Sequence, residues 1–159
     1  MKKFLLVFLG LVFVLPVFSN TAELTVTGNV SGFLSIASDV PTAVITLDPM
    51  AGEEAHSVAV ITERSNKPGG YEVRVDSARG WQLDAWNGTE YNTEFFIPYD
   101  FSYDGVRTSG PSDVVLITDT LDRTTGQGVD KPFTIHTTVP ELTPQSAYRD
   151  IITFTISSK

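Results

Sequence analysis

The chain has 159 residues, 19 Asp and Glu against 11 Lys and Arg, a net charge of −8 and no cysteine. An acidic chain without a basic cluster suits neither the phosphates of nucleic acid nor an anionic membrane surface. Without cysteine there are no disulfides, no thiol catalysis and no cysteine metal site, so burial and backbone hydrogen bonding must hold the fold.

In chain order the first element is a leader. Lys2 and Lys3 precede an apolar run from Phe4 to Leu15, broken only by Gly10, and Pro16 and Val17-Phe18-Ser19 follow. This is the layout of a secretory signal peptide with its cut after Ser19. The run falls short of the roughly 20 residues that a membrane span needs. The expected product is exported to the periplasm, the cell surface or the medium, with 1–19 removed, 20–159 as a single domain and no membrane segment in the mature form.

From there the chain reads as strands. "ELTVTGNV" puts Leu24, Val26, Gly28 and Val30 on one parity, and "GFLSIA" offers Leu34 and Ile36. "TAVITLD" offers Ala43, Ile45 and Leu47, and "HSVAVITER" sets Val58, Val60 and Thr62 against Ala59, Ile61 and Glu63. "YEVRVDS" sets Tyr71, Val73 and Val75 against Glu72, Arg74 and Asp76. "WQLDA" gives Trp81, Leu83 and Ala85, and "EFFIPYDFSY" gives Phe95, Ile97, Tyr99 and Phe101. "VVLITD" and "KPFTIHTTV" follow, and "AYRDIITFTISSK" ends the chain with Tyr148, Asp150, Ile152, Phe154 and Ile156 on one parity. Period-two alternation rich in Val, Ile, Thr, Tyr and Phe is the strand signal. The segments between, such as "SNKPGG", "SARG", "WNGTEYNT", "DGVRTSGPSD" and "DRTTGQGVD", carry turn residues. About ten short strands predict an all-β, antiparallel β-sandwich. Residues 57–85 are expected to form a three-stranded meander. Gly69 and Gly70 are free to take positive φ there, and Gly80 is the left-handed residue of a short hairpin.

Catalytic constellations are missing from the sequence. His56 and His136 are in no HExxH or His-x-His spacing, and there is no GxSxG elbow. His136 falls on a solvent-facing strand parity, and His56 follows Glu53 and Glu54. The expectation is no enzyme, no catalytic residues and no cofactor. Asp119, Asp122 and Asp130 with Gly126 and Gly128 could offer oxygens to calcium, but the spacing is not that of an EF-hand and no closing Glu appears, so no metal is expected. Trp81 shares parity with Leu83 and Ala85 and should be core. Trp86 and Tyr91 flank a loop with Asn87, Glu90 and Asn92. They could stack on a sugar while the amides orient its hydroxyls, which would make a carbohydrate-binding module. The simpler reading is that both rings plug the end of the sandwich.

The start "LTVTGNV", the segment "SNKPGGYEVRVDSARGWQL" and the end "SAYRDIITFTIS" resemble secreted bacterial immunoglobulin-like domains, in particular the spore coat protein U group and the chaperone–usher pilin subunits. The resemblance covers the two ends and residues 57–85. It implies an immunoglobulin-like sandwich with a structural or adhesive role at the bacterial surface or in the periplasm. It further implies a partner that is another surface subunit or a second copy of this chain. By that resemblance Leu24, Val26, Gly28 and Val30 would be a donor strand, and Tyr148, Ile152, Phe154 and Ile156 the strand that borders the receiving groove. Against it stands the expectation that 23–30 is simply the first strand of its own domain, because enough strands exist to close a sandwich without a donor.

Overall fold

Alternating side chains become sheet only where a neighbour takes up the main-chain N–H and C=O groups. The computed structural model describes residues 25–109 and 114–159. Among them the strands are β1 (Leu34–Ser38), β2 (Glu53–Ser65), β3 (Tyr71–Ser77), β4 (Gln82–Trp86), β5 (Tyr91–Tyr103), β6 (Val106–Thr108), β7 (Val115–Thr120), β8 (Val129–Thr138), β9 (Ala147–Arg149) and β10 (Ile152–Ser158). All pairs are antiparallel, in two sheets. One runs β1-β2-β8-β5-β4-β9 with β6 alongside β5, and the other runs β10-β3-β7. The fold is an antiparallel β-sandwich, as the spacing of the alternating segments predicts.

The core lies between the sheets. Ile61, Val75, Trp81, Tyr99, Phe101, Tyr103, Phe133 and Ile135 form it. Trp81 stacks on Phe101 at 4.6 Å and meets Tyr99 edge-on at 6.0 Å. Phe133 meets Phe154 of β10 edge-on at 5.2 Å, which ties the two layers. Ring pairs of this geometry add to the area they bury. One carboxylate shares the interior: Glu63 is fully buried and accepts hydroxyls from Tyr71 (3.0 Å), Tyr103 (2.6 Å) and Thr118 (2.7 Å).

Several expectations need correction. The meander over 57–85 does not exist: β2 and β4 lie in the larger sheet and β3 in the smaller. The turn after β3 has positive φ at Gly80 (70°), as expected, and also at Trp81 (64°), but it carries the chain across the sandwich instead of closing a hairpin. The cause is local. Ser77 Oγ accepts the N–H groups of Arg79 (3.2 Å) and Trp81 (2.7 Å), which coils the turn and drops the indole into the core. "DGVRTSGPSD" contains β6, paired with β5. Phe95, expected on the core face with Ile97, is 41% exposed, because β5 outruns the second sheet.

Contacts divide the chain into Met1–Val30 and Ser31–Lys159. In the first, Thr25–Val30 carry no strand, contrary to the expectation of a first strand there, and Val26 and Val30 are each 84% exposed. The leader and Leu24 lie outside the described residues. "TAVITLD" is likewise outside every strand.

Candidate functional site

The sheets are unequal, and this builds the site. Three strands cannot cover the inner face of the larger sheet. β3 has neighbours on both sides, whereas among the described residues β10, like β7, is hydrogen-bonded to β3 alone, with β1 close by but not paired to it. Beside β10 is a cavity of about 960 Å³. Val58, Ile97, Phe133 and Ile135 of the larger sheet form its floor, Ile152 and Phe154 of β10 one wall, and Ile45 and Leu47 part of its cover. Ile152 and Phe154 pack against the core yet remain half-buried, because they also line the cavity.

The groove depends on how the chain passes between sheets at its end. "AYRDIITFTISSK" is two strands, not one. β9 pairs with β4 in the larger sheet, and β10 pairs with β3 in the smaller. Asp150 makes the switch. Its carboxylate accepts hydroxyls from Ser77 (2.6 Å) and Tyr99 (2.5 Å) and the N–H of Ile151 (2.6 Å). The Ala78 N–H donates to the Ile151 carbonyl (2.9 Å). Burial, and after it the Asp150 charge, raises the Tyr99 hydroxyl well above the usual tyrosine range, so it stays a donor. Tyr148 donates its hydroxyl to the Pro144 carbonyl (2.8 Å) and fixes the loop before β9.

The four residues expected on one groove-bordering strand are therefore split. Tyr148 is in the larger sheet, and Ile152, Phe154 and Ile156 are in the smaller. The cavity still gathers Tyr148, Ile152 and Phe154, while Ile156 lies on the same face of β10 beyond its lining.

Trp86 and Tyr91 are directly opposite each other where β4 turns into β5, with ring centroids 4.6 Å apart. Arg79 covers the Tyr91 ring at 4.2 Å and Arg149 covers Trp86 at 5.3 Å. Each ring thus has its aromatic partner tilted beside it and a guanidinium over it, and both rings are half-buried. Trp86 lines the rim of the groove, and neither ring belongs to the core cluster.

The histidines have partners that their sequence spacing could not reveal. His136 Nε2 is 2.7 Å from Ser102 Oγ, and His56 Nε2 is 3.2 Å from Thr137 Oγ1. Asp100, opposite His136, is held by Arg107 at 2.7 Å, and Arg107 also holds Glu53 at 2.5 Å. Arg107 keeps the Glu53 carboxyl below the usual carboxylate range. The Ser102–His136 pair sits on the outer face of β5 and β8, where the main chain belongs to the ladders with β6 and β8. Asp119 pairs with Lys159, and Asp130 accepts from Thr62 at 2.7 Å, so the aspartates of that hairpin do not converge. Among the described residues no group of three His, Cys, Asp or Glu could hold a metal ion. No protein-family model and no curated protein matches this chain.

Proposed function

We propose that this protein is a structural subunit of the bacterial cell surface or periplasm that joins other copies of itself by β-strand addition. The observation that carries the reading is the edge of β10 that has no ladder partner among the described residues, beside an apolar groove. An extended segment laid there gains main-chain hydrogen bonds from the edge and places every second side chain in the groove. The segment with matching chemistry is the one that holds Leu24, Val26, Gly28 and Val30. Its apolar residues alternate, and Val26 and Val30 are exposed and outside any strand. A second copy supplies it.

The test compares residues 20–159 with the same chain lacking 20–30, by size-exclusion chromatography with light scattering. The full chain is expected to form multimers that dilute to monomer, and the shortened chain to remain monomeric with an unchanged β circular dichroism spectrum. Phe154→Asp should give the same loss by charging the groove wall. Identical size distributions for the three proteins would overturn the reading.

A further inference from the structure

Between β1 and β2 the chain crosses the mouth of the groove as an extended strap. Its burial alternates over four residues: Ile45 and Leu47 are half-buried and line the cavity, while Val44, which also borders it, is 92% exposed and Thr46 is exposed. It lacks the hydrogen bonds of a strand. Among the described residues, no main-chain N–H or C=O from Thr42 to Leu47 has a protein partner.

Both ends are tied down. At one, Asp39 N–H donates to the Val60 carbonyl (3.0 Å), and its carboxylate accepts the Val60 N–H (2.8 Å). At the other, Asp48 accepts from the N–H groups of Ala51 (3.2 Å) and Met50 (2.8 Å), and its own N–H donates to Glu54 (3.3 Å). The middle is held by two side chains alone.

We infer that Thr42–Leu47 is a placeholder: it shields the groove through Ile45 and Leu47 and yields it to an incoming strand. This rests on the strand-addition reading above. An incoming strand competes on unequal terms, because it can add a ladder to the open edge of β10 and the strap makes none. The strap costs the incoming strand affinity, since the groove is receptive only in the fraction of molecules in which the strap has lifted. In exchange, the monomer does not present the groove bare.

The probe is a labelled peptide of residues 20–30 titrated into the 20–159 protein below its self-association concentration. The same titration is run on the double variant Ile45→Ala, Leu47→Ala. Loosening the strap raises the receptive fraction, so the variant should bind about tenfold more tightly. In the unsubstituted protein, saturating peptide should move the Ile45 and Leu47 methyl resonances to solvent-exposed positions. This second readout holds even if the variant folds poorly. Peptide binding with unmoved methyl resonances and no gain in the variant would overturn the placeholder and leave strand addition standing. Failure of the peptide to bind either protein would overturn both.

Discussion

Two carboxylates stand where the alternation calls for apolar side chains, and each turns out to be a junction. Glu63 shares its parity with Ala59 and Ile61, and Asp150 shares its own with Ile152 and Phe154. Read as a breach of pattern, each was visible in the sequence. Their partners were not, because Tyr71, Tyr103 and Thr118 reach Glu63 from three different strands. Glu63→Ala would strand three buried hydroxyls, and leaving a buried polar group unpaired costs about 1–3 kcal/mol each before relaxation. The expected loss is about 3–5 kcal/mol. Glu63→Gln keeps one acceptor oxygen and should lose less. Urea unfolding of both variants checks the ranking, and a neutral Glu63→Ala would show that the hydroxyls find other partners.

At the scale of elements, alternation reports which way side chains point but not which strand lies alongside. β3 is legible to the residue, Tyr71–Ser77, yet its neighbours β7 and β10 are distant in sequence. "TAVITLD" alternates just as well and forms no strand, because its main chain has no neighbour. The connection from β2 to β3 shows what such crossings demand. Gly70 has φ of 82°, and a Cβ there would lie 2.1 Å from the Thr120 carbonyl oxygen and 2.6 Å from Leu121 Cα. These are main-chain atoms at the end of β7 and cannot swing away. Gly80 has φ of 70° but open space around it. Gly80→Ala should therefore cost only the left-handed penalty, about 1–2 kcal/mol. Gly70→Ala adds a backbone clash and should cost more than about 3 kcal/mol. Equal unfolding midpoints for the two variants would refute the steric account.

At the scale of the whole molecule, three buried tyrosines hold two carboxylates: Tyr71 of the smaller sheet and Tyr103 of the larger donate to Glu63, and Tyr99 donates to Asp150. Burial, and next to it Glu63 or Asp150, raises the Tyr71, Tyr99 and Tyr103 hydroxyls above the ordinary value of 10.0. A raised folded pKa favours the protonated form in the native state. In the unfolded chain these tyrosines release protons near pH 10, so stability is intact below that pH and falls above it. Each contributes a slope of up to about 1.4 kcal/mol per pH unit. Urea midpoints should be flat from about pH 8 to 9.5 and drop steeply by about pH 11. A flat profile to pH 11 would mean that these hydroxyls are not held on Glu63 and Asp150 in the native state. The small sheet also sets an order of events during synthesis. Its central strand, β3, can pair only with β7 and β10, and Ser77 meets Ile152 at the other end of the chain. The β3–β7 ladder can form once β7 has emerged, but the other side of β3 waits for Ile152–Ser158. Such distant pairing makes for slow folding and a long wait with sticky edges bare. A chain that emerges N-terminus first would thus carry one side of β3 bare from the time Ser77 is out until Ile152–Ser158 follows.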